Sequence, residues 1–204
     1  MSHTLGIRQA QKQKTRQALM DSALQLLEHQ SLSSLGLREV TRAVGVAPAA
    51  FYRHFKDTAD LGVALVEQAL GSLHETIRAA IVTTGSSDER IDRAVALIAA
   101  HVRAYPAHVR FIARERHSGV APVREAIGVQ LRRFADEVAQ ALGADAESAG
   151  WSAADLRMLA GLYVDHMVMT ASALLEDPGA ETAVLTTARA QLRLVTLGRA
   201  HWLD

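Results

Sequence analysis

Cations and hydrogen-bonding rings are concentrated between residues 38 and 56 of the sequence. The side chains concerned are Arg38, Arg42, Tyr52, Arg53, His54 and Lys56. Guanidinium, ammonium and phenol groups are donors with which proteins bind phosphate oxygens. The sequence shows no nucleophile motif, no glycine-rich phosphate loop and no paired catalytic carboxylates. We therefore expect a protein that binds a polyanion, with no catalytic residue and no enzyme activity.

Metal and thiol chemistry are not expected either. The chain has no cysteine, and its nine histidines lack the tight spacing of a metal site. We predict no metal and no cofactor.

The net charge of zero hides an uneven distribution of charge along the chain. Residues 1–56 hold eight Lys or Arg against three acidic residues, a balance of +5, and residues 57–204 hold the other 14 basic and 19 acidic residues, a balance of −5. This pattern indicates a small basic module that faces a polyanion and a larger acidic module with another role. An N-terminal arm and first turn with Arg8, Lys12, Lys14 and Arg16 are expected to neutralise phosphates as well.

The elements that must position these groups are predicted to be two short helices joined by a glycine turn. The stretch "LREVTRAV" predicts a helix from Leu37 to Val44, with Gly36 at its N-cap. Gly45 ends that helix, and Pro48 opens the next one at a position where a missing N–H costs nothing. In a helix-turn-helix of this kind, the leading residues of the second helix enter the major groove of double-stranded DNA.

The longer stretch "LREVTRAVGVAPAAFYRHFKDTADL" resembles the helix-turn-helix of the tetracycline-repressor (TetR) family of transcriptional regulators. Ala59 replaces a common lysine and Thr41 a common alanine, and neither lies in the reading helix. The resemblance implies that Ala47, Ala49 and Ala50 meet base edges. It implies that Tyr52, His54 and Lys56 grip phosphates.

The alanines of this helix can distinguish bases only through apolar contacts, typically with a thymine methyl group. Polar reading is then expected from Thr41, Arg42 or Arg53, or from the shape of the DNA. We expect phosphate contacts from Arg38 and Lys14, whereas Phe51 and Phe55, four residues apart, should face the core. Packing at the domain junction is the alternative role for Tyr52 and His54.

Helical periodicity continues over the rest of the chain and predicts an all-α, TetR-like fold of about nine helices. The predicted helices span about 11–29, 37–44, 48–55, 58–82, 88–104, 107–117, 121–142, 152–176 and 180–202, with a polar break at 83–89. We predict a helix-turn-helix DNA-binding domain at 1–56 and a ligand-binding and dimerisation domain at 57–204.

The helix predicted at 152–176 is apolar over most of its circumference, so it must be covered on all sides. With the last helix it is expected to form the four-helix interface of a homodimer. Two-fold symmetry would then set the reading helices about 34–36 Å apart on a palindromic operator. Asp165 and His166 are expected to form a buried pair in this interface, and a ligand contact is the alternative.

No apolar run approaches the roughly 18 residues of a membrane span, and no leader pattern stands at the start. We therefore expect a soluble, cytoplasmic protein without a membrane partner.

Three further segments resemble a narrower group, the FabR and DesT repressors of unsaturated fatty-acid synthesis. They are "QKQKTRQALMDSA", "FYRHFKDTADLG" and "FIARERHSGVAPVREAI". The resemblance implies an effector that is a long-chain acyl-CoA or acyl carrier protein thioester, whose saturation sets the affinity for DNA. By this analogy, unsaturated chains favour operator binding.

An acyl tail requires an apolar tunnel, and a CoA head group requires cations at its mouth. The apolar candidates are Leu70, Leu73, Ile98, Val102, Phe111, Ile127, Leu131, Phe134, Leu162 and Met169. The cationic candidates are Arg114 and Arg116, with Arg132 and Arg133 nearby. The alternative is a plain core for the apolar set and a structural ion-pair network around Arg114, Glu115 and Arg116.

Two other functions are compatible with the sequence. One is a TetR-type regulator of an efflux or catabolic operon that senses a different hydrophobic molecule. The other is a helical lipid-binding or enzymatic protein that does not bind DNA.

Overall fold

A computed structural model describes residues 2–81 and 85–202 of the chain, without the side chains of residues 2–5, 72, 75–81 and 146. Over the described ranges the chain forms nine α-helices and no strand. The helices are α1 Ser2–Leu26, α2 Leu37–Val44, α3 Pro48–Phe51, α4 Thr58–Ile81, α5 Ser87–Ala104, α6 Pro106–Glu115, α7 Ala121–Gly143, α8 Ala153–Glu176 and α9 Glu181–Ala200. Short 3-10 helices occupy Leu32–Ser34, Ala146–Ser148 and Pro178–Ala180. The predicted all-α class is confirmed.

Packing divides the chain into two compact units that alternate along the sequence. Unit 1 contains the residues up to Ala69 together with Arg110–Ile127, and unit 2 contains Leu70–Val109 and the residues from Gly128 onward. The second half of α6 and the start of α7 therefore belong to the same unit as α1–α3. The boundary between residues 56 and 57 concerns a division of function and stays a prediction.

The core of unit 1 is formed by one face of α1 together with residues from α2, α3 and α4. Its fully buried side chains include Leu19, Ala23, Val40, Phe51 and Leu65. α4 passes close to its neighbours at Gly62, where an added Cβ would lie 2.5 Å from Cδ2 of Leu32 and 2.7 Å from Cγ2 of Val123. Glycine at this position therefore permits the tight packing of α4 in unit 1.

The turns of the helix-turn-helix have the geometry that the sequence predicts. Gly45 adopts the left-handed conformation with φ of 74° at the end of α2, which glycine reaches at no steric cost. Pro48 opens α3 at its first position. Asp57 caps α4, because its Oδ1 accepts a hydrogen bond from the backbone N–H of Asp60 at 2.8 Å.

Unit 2 has its core between α5, α8 and α9. Ile98, Val102 and Leu174 form one buried cluster, and Val95 and Leu192 belong to a second. α5 and α8 both begin with a reciprocal capping box, from Ser86 to Glu89 and from Ser152 to Asp155. Hydrogen bonds at these helix starts fix where the two helices begin.

Among the described residues, one helix is long and apolar enough to cross a membrane, α8 at Ala153–Glu176. Length and composition alone are weak grounds for a membrane span. One side of α8 packs on α5 and α9 through Met167, Ala171 and Leu174. Its apolar character is therefore accounted for in part by the core of unit 2.

Candidate functional site

The reading helix α3 presents small residues to solvent. Ala47 and Ala49 are exposed and Ala50 is half-buried. The regular α-helix ends at Phe51, four residues before the predicted end. The chain then turns with i to i−3 hydrogen bonds, from Arg53 N–H to Ala50 O at 3.3 Å and from His54 N–H to Phe51 O at 2.8 Å.

Hydrogen-bond donors surround this surface. Tyr52 is 64% exposed, and Arg38, Arg42, Arg53 and Lys56 are exposed as well. Their exposure agrees with the predicted contacts to DNA, which stay predictions. Lys14 is also exposed, on α1.

Two aromatic side chains anchor the reading helix from within. Phe51 is 0% and Phe55 2% exposed, and their ring centroids lie 5.5 Å apart. The predicted core role of both residues is confirmed. Aromatic pairs of this kind hold an element in place beyond the area they bury.

Thr41 does not have the predicted role at the surface. It is 1% exposed. Its hydroxyl donates to the backbone carbonyls of Leu37 and Arg38 at 3.1 and 3.2 Å. A buried side chain with a local hydrogen bond has no surface left for DNA. Thr41 therefore packs within α2, whereas Arg42 and Arg53, the other polar residues predicted to read bases, are exposed.

His54 lies between the reading helix and α1. Its backbone carbonyl accepts a hydrogen bond from Nη1 of Arg16 at 2.8 Å, and the Arg16 guanidinium stacks over the Phe55 ring at 4.3 Å. Partial burial lowers the pKa of His54, and the positive charges of Lys12, Arg16 and Arg53 lower it further. A neutral imidazole is a weaker phosphate ligand than a cation, so Lys56 is a stronger candidate for a phosphate contact than His54.

The "RER" segment at 114–116 makes hydrogen bonds within unit 1. Nη1 of Arg114 donates to the carbonyls of Leu27 and Gln30 at 2.8 and 2.7 Å, just beyond the end of α1. Glu115 is fully buried and accepts from Leu32 N–H at 3.0 Å. We call these contacts the α6 clamp. They differ from the ion-pair network considered as an alternative, because the partners are backbone groups.

The predicted ligand residues fall into three groups. Leu70, Leu73, Ile98, Val102 and Phe134 are buried in unit 2, where Leu131 is half-buried. Phe111 and Ile127 are buried in unit 1. Leu162 and Met169 are 48% and 67% exposed, so the single chain does not enclose them in a tunnel. Arg116 is half-buried, and Arg114 serves the α6 clamp; their contact with a CoA head group stays a prediction.

A buried polar cluster in unit 2 escaped the sequence analysis. His74 stacks on Phe134 with centroids 3.8 Å apart. Its Nε2 lies 2.8 Å from Oε1 of Gln130, and its Nδ1 lies 3.3 Å from Oε2 of Glu137. The sequence does give one indication of this cluster. The spacing along α7 places Gln130, Phe134 and Glu137 on one face of the helix. His74 follows Leu73 in the apolar stripe of α4, and a lone histidine there gives no indication of its partners.

Exposed apolar side chains mark the surfaces of α8 and α9. Met158, Leu162 and Met169 lie on α8, and Leu194 and Leu197 on α9. Asp165 is exposed on α8, whereas His166 is half-buried with Nε2 3.3 Å from the carbonyl of Ala188. The predicted burial of Asp165 and His166 concerns the dimer interface and stays a prediction.

Comparison with known proteins identifies the N-terminal part of the chain. Residues 19–65, which include α2 and α3, match the family model described as "Bacterial regulatory proteins, tetR family". Residues 19–65 are thus similar to the N-terminal domain of TetR-family regulatory proteins. The exposed alanines and cations of α3 lie within this matched segment.

Solved structures of several regulators share the fold of this chain over most of their length. FadR from Bacillus subtilis in complex with stearoyl-CoA is similar with a TM-score of 0.72 and 14% identity, over 88% of this chain and 96% of that chain. The fatty acid degradation regulator FadR from Bacillus halodurans gives 0.68 and 15%, over 93% and 96%. AibR in complex with isovaleryl coenzyme A and operator DNA gives 0.64 and 14%, over 86% and 96%. At these identities the likeness establishes the fold.

Proposed function

We propose that this TetR-type regulator represses genes of unsaturated fatty-acid synthesis and that a long-chain acyl thioester sets its affinity for operator DNA. The observation that carries the DNA-binding part is the exposed surface of α3, with Ala49 and Tyr52 in solvent and Phe51 and Phe55 locked in the core. This surface combines small residues, which allow close approach to a groove, with donors for phosphates.

The choice of an acyl thioester is supported by the chemistry of unit 2 and by the similar regulators. Unit 2 buries Leu70, Leu73 and Phe134, residue types that suit an acyl tail. His74, stacked on Phe134, is a buried hydrogen-bonding group at the same place. Two of the similar regulators were solved with an acyl-CoA, stearoyl-CoA and isovaleryl coenzyme A.

The proposed active form is a cytoplasmic homodimer. The exposed apolar residues of α8 and α9 supply the surface for a second copy, and Leu162 and Met169 contribute to it. Exposed apolar patches of this kind mark protein interfaces. A two-fold dimer would offer two copies of α3 to a palindromic operator.

The proposed mechanism is a shift between two states of the dimer. Tail shape favours one packing of the ligand-binding domain, and this packing sets the separation of the two reading helices. A coupling of about 1–3 kcal/mol would change operator affinity by roughly 5- to 150-fold.

The decisive test is operator binding in the presence of saturated and unsaturated long-chain acyl-CoA side by side. The duplex is the region upstream of the regulator's own gene, and the readout is a gel shift at several salt concentrations. We expect the unsaturated ligand to strengthen binding and the saturated ligand to weaken it. No binding to DNA at low salt would rule out the repressor, and equal binding with both ligands would rule out control by saturation.

A second candidate target is the set of genes for fatty-acid degradation, which the similarity to the fatty acid degradation regulator FadR from Bacillus halodurans favours. In that case acyl-CoA of either saturation would release the DNA. A regulator of efflux or catabolism is the remaining rival. A thermal-shift panel separates it, since stabilisation by dyes and drugs without stabilisation by acyl-CoAs would remove the lipid assignment.

A further inference from the structure

The first half of α1 extends upstream of the region that matches the TetR family model, which begins at residue 19. Residues 6–14 are exposed throughout. The first 20 residues contain four cations and no acidic residue. A helix that is polar on all sides gains little from burial within its own domain. Its composition therefore indicates an anionic partner outside unit 1.

Three of the four cations lie along one side of α1. Arg8, Lys12 and Arg16 follow each other at intervals of four residues. Residues at this spacing occupy the same helix face. The face continues into Leu19 and Ala23, which are fully buried in the core of unit 1. The basic stripe is therefore the solvent-exposed extension of the packed face.

Arg16 joins this stripe to the end of the reading helix. Its Nη1 donates to the carbonyl of His54 at 2.8 Å, and its guanidinium lies over the Phe55 ring. With a rise of about 1.5 Å per residue, Lys12 lies about 6 Å and Arg8 about 12 Å farther along the helix axis. The contact of Arg16 thus orients both exposed cations toward the side of unit 1 on which α3 ends.

The electrostatics of His54 agree with this placement. Lys12 is among the positive charges that lower the pKa of His54, after partial burial and together with Arg16 and Arg53. Lys12 and Arg53 are both exposed there. The end of α3 and the basic stripe of α1 therefore form one continuous positive patch.

We propose that Arg8 and Lys12 form a second phosphate-binding site, which extends the contact of the DNA-binding domain onto the sugar–phosphate backbone that flanks the bases read by α3. The inference rests on the proposed operator binding. Contacts of this kind position a protein on a duplex without reading its sequence. Lys14, two residues from Lys12, lies on the other side of α1, so it contributes less to this site than Lys12 does.

Lysine footprinting tests this arrangement directly, because the chain contains only three lysines, Lys12, Lys14 and Lys56. The whole protein is acetylated at low salt with and without the duplex from upstream of its own gene, and each site is quantified by mass spectrometry. We expect DNA to protect Lys12 and Lys56 while Lys14 reacts at an unchanged rate. If DNA protects Lys56 but not Lys12, or protects Lys14 as strongly as Lys12, the second phosphate-binding site is overturned. Operator binding itself still stands in both cases. No protection at any lysine overturns operator binding itself.

The salt dependence of binding provides the quantitative test. Each neutralised phosphate adds about 0.9 to the slope of log affinity against log salt. The double variant Arg8→Gln with Lys12→Gln should therefore bind with a slope that is shallower by about 1.8, while Lys12→Arg keeps the slope of the wild type. Glutamine is chosen because it is a good helix former.

The matched control is Arg103→Gln in unit 2. Arg103 is exposed and pairs with Glu181 at the surface, so the variant loses one positive charge at a position far along the sequence from the DNA-binding domain. We expect its slope to equal that of the wild type. An unchanged slope in the double variant, with an unchanged circular dichroism spectrum, would refute the second phosphate site.

Discussion

The two alanines exposed on α3 allow the helix to approach the floor of a groove, because they carry neither bulk nor charge. Replacement of Ala49 by Glu adds a carboxylate at an exposed position that meets the bases in the proposed complex. We expect Ala49→Glu to abolish operator binding in a gel shift, since repulsion by phosphates opposes the remaining contacts. Urea unfolding should be unchanged within about 0.5 kcal/mol, as for other surface substitutions.

Ala49→Ser is the control for this variant, because it adds a small polar group without charge. It should retain binding, with altered preference among bases at the contacted position. Operator binding by Ala49→Glu equal to that of the wild type would show that this part of α3 does not face DNA.

His54 makes the stability of the protein depend on pH. The pKa of His54 is lowered in the folded state by burial and by the charges of Lys12, Arg16 and Arg53. As pH falls below the ordinary pKa of about 6.5, the unfolded chain therefore binds a proton before the folded protein does. The stabilising effect is fully present above that pH and is lost as pH falls through the lowered pKa.

We expect the free energy of unfolding to decrease between pH 7.5 and 5.5, and to decrease less in His54→Gln. Urea denaturation across this range measures both. The pKa of His101 is also lowered, by burial and by His108, and His101 is still present in the variant. The difference between the two proteins therefore isolates His54, and parallel pH profiles would contradict its assigned surroundings.

At the residue scale, the sequence predicted types of surface more reliably than the partners of individual polar groups. Phe51 and Phe55 were recognisable because apolar residues four apart share a helix face. Thr41 was misjudged because its helical position alone does not show that its hydroxyl bonds to its own helix. Arg114 was assigned to a ligand because a cation near apolar helices has many possible partners, and the carbonyls of Leu27 and Gln30 are more than 80 residues away.

At the scale of elements, Gly62 determines how closely α4 packs in unit 1. A Cβ at this position would lie within 2.7 Å of both Leu32 and Val123. We expect Gly62→Ala to lower the free energy of unfolding by about 1–2 kcal/mol, because overpacking costs about 1–3 kcal/mol and the gain in helix propensity returns part of it. Thermal and urea denaturation measure the change.

Gly71 is the matched control on the same helix. A Cβ added there has no neighbour within 4 Å, and the residue is exposed. Gly71→Ala should therefore stabilise the protein by about 0.5–1 kcal/mol. The same Gly-to-Ala substitution at two positions of α4 is thus expected to change the free energy of unfolding in opposite directions. If Gly71→Ala destabilises the protein and Gly62→Ala does not, the packing at Gly62 is contradicted.

The α6 clamp predicts that Arg114 acts on stability. Its guanidinium bonds two carbonyls just beyond α1, so Arg114→Ala should cost about 1–2 kcal/mol of unfolding free energy. Arg110→Ala on the same helix removes a half-exposed ion pair with Glu28 and should cost less than about 1 kcal/mol. Acyl-CoA affinity, measured in parallel, distinguishes the two roles considered for Arg114. A loss of affinity without a loss of stability would support the predicted role of Arg114 as a head-group cation.

Element bounds followed from local signals where such signals exist. Gly45 and Pro48 fixed the turn of the helix-turn-helix, and the helix predicted from about residue 58 begins there as α4. The end of α3 and the start of α1 differ from the predicted bounds. α3 ends early in i to i−3 turns, and α1 begins nine residues before the predicted Gln11, where a polar, basic stretch carries no apolar periodicity.

At the scale of the whole molecule, the all-helical class was predictable and the assignment of helices to units was not. Helical periodicity shows that a face is buried but does not show against which partner. The second half of α6 and the start of α7 belong to unit 1 although they follow α5 of unit 2 in the sequence. The functional division at residue 56 stays a prediction.

The apolar surface of α8 and α9 predicts the oligomeric state. Leu194 is 71% and Met169 67% exposed. We expect Leu194→Glu and Met169→Glu to convert the dimer into monomers in light scattering at low micromolar concentration, because two carboxylates would face each other across a two-fold interface. Val129→Glu is the control, since Val129 on α7 is 49% exposed but lies on neither helix. It should remain a dimer.

Dimerisation and DNA binding should fail together in these variants while the helices stay folded. A monomer presents one α3 to one half-site and loses the second set of contacts, so operator affinity should fall by at least 10²-fold, the lower end of what linking two binding modules contributes. Circular dichroism should be unchanged, because the substituted side chains are exposed in the single chain. If Leu194→Glu stays dimeric and binds the operator like Val129→Glu, the dimer uses a different surface, and α8 and α9 require another explanation for their exposed apolar face.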